Sequence, residues 1–570
     1  MNRNRNQQRK DRRPPGGRRR VAAGALSGVL AAYLSLAVAE LVSAAVRPES
    51  GPVIAVGGAA VDRTPAPLKD WAIRTFGAND KLVLLAGILT VLVLFALALG
   101  AFASRRRRAG AAGVLLFGAV GALAATGRPD STGFLDALPS LAGGLAGAAL
   151  LYFLTGRLPG ASGALGDGAG GTGGVTGSTG DAGDAGGTGG LSGPEPGEGR
   201  ESPDLAPGWN RRGFVLAATT AAAASTAAGG LGRSLNGSRG RDAAASRARI
   251  ALPGPASAAV PTPADARLRV PGITPFITPN KDFYRVDTAL VVPRVDASRW
   301  RLRIHGEGVT RPLTLTYDDL LRRELIERHI TLTCVSNEVG GPYAGNARWI
   351  GVRLSELLRE CGVRPPSRGG PADQLVARSV DGMTIGSPVE ELMDGRDALL
   401  ALGMNGEPLP FTHGFPVRMV VPGLYGYVSA CKWIRELELT RFAAYDPYWV
   451  KRGWAREAPV KTQSRIDTPK PFARPAAGTV MIAGVAWAQR RGVERVEVRI
   501  DEGPWRPAVL AAQDTRDTWR HWSLPWRATP GPHTLTVRAT DGTGEVQTAE
   551  RTRTVPDGAS GRHSVVVTVD

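Results

Sequence analysis

Cysteine, histidine and methionine are what this 570-residue chain has least of. It holds six histidines and three cysteines, and the first histidine is His305. Residues 1–300 therefore contain no imidazole, which excludes a bis-histidine haem from that whole stretch. There is no C-x-x-C-H for attached haem, no cysteine set for an iron–sulfur cluster and no glycine fingerprint with a following acidic residue. Cys334, Cys361 and Cys431 are too few for a disulfide framework and have no zinc spacing. Acidic residues are also scarce, 51 against 70 lysines and arginines, a formal charge of +19. The arginines cluster at the edges of apolar segments, where they act as topology signals, so no nucleic-acid partner is expected.

What is present comes in blocks. Residues 1–20 form a basic arm, expected in the cytoplasm, and 21–158 read as a four-helix transmembrane region with apolar runs at 21–46, 82–103, 111–126 and 138–155. About 20 residues suffice to cross a bilayer. Four consecutive arginines, Arg105 to Arg108, follow the second run and mark a return to the cytoplasm, which leaves the loops 47–81 and 128–136 outside. Residues 159–210 read as a disordered linker, since Gly160 to Gly199 is Gly/Ser/Thr/Asp/Ala sequence with almost no large side chain. At 211–232 an Arg211-Arg212-Gly213-Phe214 run leads into an Ala/Thr segment. It reads either as a fifth transmembrane helix or as an internal twin-arginine signal. Both readings put the remainder outside.

After a second linker, 233–264, the chain turns globular. Strand-like and helix-like spacings mix over 265–467, an α+β pattern. From 468 to 570 short alternating runs at 479–482, 493–500, 533–539 and 563–569, separated by turns, predict an all-β sandwich.

The chemistry centres on Cys334. The preceding run, 329–333, alternates and is β-branched, and Gly340-Gly341-Pro342 stops it, so the thiol is expected at a strand-to-loop mouth. From Gly351 the spacing changes to Val352, Leu354, Leu357 and Leu358, a helix opening behind the loop. Taken alone, such a cysteine is most often a small buried apolar residue. Further on, His413-Gly414-Phe415-Pro416-Val417-Arg418 is followed by Lys432-Trp433. A guanidinium and an ammonium on neighbouring rigid strands are suited to holding a phosphate.

Three stretches together, P-N-K-D-F-Y-R-V-D (279–287), the cysteine segment with Gly-Asn-Ala-Arg-Trp (345–349), and H-G-F-P-V-R with K-W, resemble the sulfite oxidase family of molybdopterin enzymes. The resemblance covers roughly 265–570. It implies that Cys334 ligates molybdenum as the one protein thiolate beside the pterin dithiolene. It implies that Asn280, Phe283 and Tyr284 line the pterin, that Arg285 reaches the metal pocket, and that Asn337 is a nearby polar residue. His413 would contact the ring, and Arg418 and Lys432 the phosphate. Cys334 and Arg285 are the catalytic candidates.

The same resemblance implies one molybdenum-molybdopterin per chain, with no haem, flavin or NAD. The reaction would be oxygen-atom transfer to or from a small sulfur-type substrate, with electrons exchanged with a separate protein or with quinone. Residues 468–570 would be an immunoglobulin-like domain through which a homodimer forms. The whole is then a multi-pass membrane protein with an extracytoplasmic catalytic domain. Twin-arginine export suits a cofactor inserted before the folded domain crosses. Two departures stand out: Glu338 occupies a place where sulfite-oxidising members tend to carry arginine, and Trp454 replaces the tyrosine of their W-x-x-R-x-Y pattern. Arg418 to Lys432 is also one residue longer than usual. Sulfite oxidase proper, a reductase of oxidised sulfur compounds, and a non-catalytic membrane-anchored binding protein are the alternatives.

Overall fold

The fold is taken from a computed structural model, which describes residues 15–65, 68, 75–76, 80–128, 131, 133–158 and 211–570. The linker expected at 159–210 and most of the basic arm lie outside the described residues. The chain divides into two compact units. One takes its described residues from Met1–Val53, Ala72–Leu123 and Ala137–Gly232, the other from Ile54–Trp71, Ala124–Asp136 and Arg233–Asp570.

The first unit is helical: α1 (Pro15–Ala45), α3 (Asp80–Ala103), most of α4 (Arg107–Thr126), α5 (Leu138–Gly156) and the start of α6 (Arg211–Ala248); the short α2 (Pro52–Arg63), between α1 and α3 in the chain, belongs from Ile54 on to the second unit. Among the described residues, five helices are long and apolar enough to cross a membrane. They cross where side chains are smallest. A Cβ on Gly100 would lie 2.7 Å from the Gly28 Cα, so α1 and α3 touch backbone to backbone. Two boundaries differ from expectation. Helix α1 starts within the arm, at Pro15, and α6 continues to Ala248, through residues read as linker. Beyond Ala248 the chain runs extended and docks on a strand, with a parallel bridge from Ser257 to Ile326.

Two sheets build the domain after it, the first mixed and the second wholly antiparallel. The first has the order β2 (Leu313–Thr316), β1 (Arg301–Gly306), β10 (Ile434–Thr440), β5 (Gln374–Ser379), β6 (Thr384–Pro388), with β1 and β10 parallel. The second runs β3 (Leu325–Thr333), β4 (Ala344–Arg353), β7 (Leu399–Met404), β8 (Glu407–Pro408), and β9 (Arg418–Val420) also pairs with β7. Short helices α7 (Tyr317–Leu321), α8 (Leu354–Glu360), α9 (Val389–Met393) and α10 (Gly426–Ser429) fill the corners. A Thr316–Asp319 capping box starts α7. The Gly-Asn-Ala-Arg-Trp run is not loop but strand: it sits inside β4, antiparallel to β3, and the helix behind it opens only at Leu354. Burial explains this, because Ala347 and Trp349 are wholly buried on one face and Asn346 hydrogen-bonds in the interior.

The C-terminal region is two four-stranded sheets over one core. One is β11 (Gln463–Thr468), β12 (Gly478–Trp487), β16 (Arg520–Ala528) and β15 (Val509–Leu510); the other is β14 (Arg506–Pro507), β13 (Val493–Ile500), β17 (Gly531–Asp541) and β18 (His563–Val569). Strand β3, the outer strand of its sheet, is sealed by this region. The Thr331 amide donates to the Asp517 carbonyl at 2.9 Å, the Gln489 amide group to the Thr331 carbonyl at 2.9 Å, and the Trp519 amide to the Thr331 hydroxyl at 2.8 Å.

Candidate active site

Strand β3 delivers Cys334 to the mouth of the loop 334–343, where it is buried, 8% exposed. The loop is fixed from within. The Cys334 amide donates to the Tyr343 carbonyl at 2.9 Å, the Asn337 amide to the Cys334 carbonyl at 3.0 Å, and the Tyr343 amide to the Asn337 Oδ1 at 2.7 Å. Asn337 thus shapes the loop. From the C-terminal sheets, Arg465 Nη1 donates to the Gly341 carbonyl at 2.9 Å. Burial pushes the Cys334 thiol up, while the amide and hydroxyl of Ser336 and the charge of Lys432 pull it down. A bound metal cation would remove that proton outright.

The predicted cations converge beside it. Gly414 has φ +111, and a Cβ there would lie 3.0 Å from the Arg418 Cβ and 3.1 Å from the Lys432 Cβ, so a bare glycine lets the two side chains flank one spot. Arg418 is 5% exposed, its Nη1 donates to the His413 carbonyl at 3.2 Å, and its Nε is buried without a hydrogen-bond partner. Among the described residues it has no ion pair. Burial pulls it down to about 10, still cationic at neutral pH. Lys432 Nζ donates to Asp287 Oδ2 at 2.9 Å and to the Val286 carbonyl at 3.2 Å. The same Asp287 oxygen accepts from Arg285 Nε at 3.0 Å, and its side chain is only 4% exposed. Sequence reasoning did not single out Asp287, the anion between two predicted functional cations; the signal available was its place two residues after Arg285.

The 279–287 stretch forms a second wall. His413 Nε2 donates to the Asn280 carbonyl at 2.9 Å, and burial, followed by the charges of Arg418, Lys432 and Arg285, pushes the imidazole down to about 4, so it is neutral. The Asn280 side chain donates to Glu407 at 2.6 Å and accepts from Asn405 at 2.8 Å. Phe283 is buried, edge-on to Trp349 and His413. Tyr284 stacks on it at 5.2 Å, and burial and the neighbouring Cys334 both raise its phenol. The Tyr284 hydroxyl and the Thr333 carbonyl face Gly426, the first residue of α10. Tyr427 then meets Trp454 with centroids 5.6 Å apart, so the indole that stands in for a tyrosine lies one layer behind. Glu338 is exposed.

The family described as "Oxidoreductase molybdopterin binding domain" matches residues 289–449, which includes Cys334, Asn337, His413, Arg418 and Lys432. Over these residues the chain is similar to the molybdopterin domains of sulfite oxidases. Mitochondrial sulfite oxidase of Rattus norvegicus is 31% identical over 290 residues, 44% of this chain and 53% of that protein. Nitrate reductase [NADH] 1 of Oryza sativa is 34% identical over 197 residues, 30% of this chain and 21% of that protein. The sulfane dehydrogenase SoxCD of Paracoccus pantotrophus has 26% identity at a TM-score of 0.45, covering 52% of this chain and 84% of that one. The chain spans about half the length of the rat enzyme. Its residues fit the family's cofactor: a single soft donor at a loop mouth, and a buried guanidinium with an unpartnered Nε that an anionic group would satisfy.

Proposed function

We propose that the chain is a membrane-anchored, extracytoplasmic molybdenum-molybdopterin oxidoreductase that transfers an oxygen atom to or from a sulfur-type substrate and passes electrons to an external protein or quinone. The observation that carries this reading is one buried thiol, Cys334, and a buried, unneutralised Arg418, both near enough to Tyr284 to act on its phenol. When bound, the cofactor supplies oxygen-atom transfer and a two-electron change at the metal. Cys334 would hold the metal, Arg418 and Lys432 the phosphate, and neutral His413 the ring through its free Nδ1. Arg285, at the cleft rim, would orient the anionic end of a substrate, its position set by Asp287.

Membrane topology draws support from the second unit, which groups described residues of the loops read as external, 47–81 and 128–136, with the described residues from Arg233 on. Arg128 on the second loop donates to the Ile54 carbonyl on the first at 3.0 Å. Internal twin-arginine export at 211–232 is the route we favour, since the cofactor must enter a folded domain. The two C-terminal sheets are read as an immunoglobulin-like dimerisation domain. With exposed Glu338 and Trp454 in place of a phenol, a small dianion such as sulfite ranks behind a less charged sulfur compound. The molybdenum and pterin content of the purified full chain tests the reading, together with Cys334→Ser. We expect about one of each per chain in the parent and loss of molybdenum turnover, with the fold kept, in the variant. Full turnover in the variant, or neither metal nor pterin in the parent, sinks it.

A further inference from the structure

A cavity of about 340 Å³ lies where the end of α6 meets the approach to β1, lined by Arg239, Asp242, Arg294, Arg299, Arg301 and Arg435 with Asp296. Its lining shares no residue with the cradle of Gly414, Arg418 and Lys432. The walls are fixed: Ser246 on α6 accepts from the Ala297 amide at 3.2 Å, and Arg247 donates to the carbonyls of Leu409 and Pro408 at 2.8 and 2.6 Å and to Glu407 at 2.9 Å. The indole of Trp300, also lining the cavity, is tied to the Ile434 carbonyl at 2.7 Å.

Five guanidinium groups thus share one cavity with two carboxylates. Asp296 is already engaged by the amide and hydroxyl of Ser298 at 3.0 and 2.8 Å and stands 3.8 Å from Arg299. Among the described residues, Arg239, Arg294, Arg301 and Arg435 form no ion pair. Like charges gathered around a ligand-sized hollow repel one another until an anion joins them, and the guanidinium fork matches phosphate oxygens.

We propose that this cavity binds a phosphate-bearing anion. Its place favours a phospholipid headgroup as the source. Leu235 is the last large apolar side chain on α6 before the cavity, and Arg239 lies four residues on, about 6 Å at 1.5 Å per residue. A headgroup layer is about 5–8 Å thick on each side of the bilayer core. The lipid source rests on the reading of α6 as a membrane span; the anion site does not.

The test uses the cofactor-loaded full chain in neutral detergent. Retention of phosphatidylglycerol and of phosphatidylcholine is counted by native mass spectrometry, and thermal unfolding is followed with and without inorganic phosphate. We expect phosphatidylglycerol to be retained over phosphatidylcholine, roughly ten-fold less in Arg239→Gln/Arg435→Gln and to a smaller extent less in the matching Arg→Lys pair, which keeps the charge but not the fork. Unchanged pterin content shows that the variants are folded, and Arg239→Gln alone is read if the double variant is not. Protection by inorganic phosphate alone, lost in the Gln variant, identifies a free anion as the source and keeps the site. Equal retention in parent and Gln variant, or no response to either probe, overturns the proposal.

Discussion

The Tyr448 hydroxyl donates to the Asp62 carboxylate at 2.6 Å, joining residues 386 positions apart, one on α2 between two apolar helices and one in the oxidoreductase domain. Arg452 reinforces the joint, donating to the Asp62 carbonyl at 3.3 Å while its guanidinium lies 3.5 Å over the Tyr448 ring. Two groups in such contact lie on one side of a membrane. Single cysteines at exposed Arg63 and Arg456 should therefore react alike with an impermeant thiol reagent on intact cells, and a cysteine at exposed Arg106 should not. Opposite labelling of positions 63 and 456 rules out the topology.

Replacing both Arg418 and Lys432 by alanine should empty the cofactor cleft rather than slow turnover. A charge-assisted contact contributes about 1.5–3 kcal/mol, so losing one lowers affinity roughly 10- to 100-fold and losing both lowers it further. Pterin released from the denatured variant is the readout. Parental content would remove the phosphate role.

Asp287→Ala should destabilise the cofactor-free chain by about 2–3 kcal/mol, because Lys432, only 12% exposed, is left without the carboxylate it pairs with. The penalty should shrink in loaded protein, where a phosphate supplies a second anion. Urea midpoints of the two forms measure it; an equal loss in both would mean that Lys432 does not reach the phosphate.

Acid should weaken the fold well above the carboxylate range. Burial pushes His413, His521 and His563 each down to about 4. Two of them accept a backbone amide through Nδ1, His521 from Leu268 at 3.2 Å and His563 from Ile466 at 3.0 Å, a role that protonation abolishes. An unfolded chain takes up these protons near pH 6.5 and the folded one does not. Stability is thus present above 6.5 and is lost as pH falls towards 4, on the order of 2 kcal/mol per histidine by pH 5. Carboxylates such as Asp541, held at about 2, add their losses only below their ordinary range near 4. Thermal scans at pH 7 and pH 5 test this, and an unchanged midpoint would contradict it.

The sequence carried the site further than it carried the fold around it. Cys334 at a strand end, Arg418 and Lys432 as a pair, and the five apolar helices were legible because each leaves a local signal: a β-branched run stopped by glycines, a dense motif, a length of hydropathy. What stayed hidden depends on distant partners. The Gly345–Trp349 run looks like loop by its glycine and asparagine, yet Asn346 is buried and donates to the Phe276 carbonyl, a contact no local pattern announces. Helix α6 outruns its apolar stretch because Ser246 and Arg247 find partners at 297 and 407–409. Asp287 reads as an ordinary turn residue until Lys432 arrives from 145 positions away.

One last consequence follows from the sealing of β3. The strand that ends at Cys334 borrows its outer hydrogen bonds from Gln489, Asp517 and Trp519, and the loop beyond it is braced by Arg465. A fragment cut at 467 would carry every cofactor motif and still expose a bare strand edge, the usual template for aggregation. The two C-terminal sheets are therefore not detachable cargo. Any exchange of parts between relatives has to move them together with the cysteine strand, and the smallest heritable piece able to present that thiol is the pair.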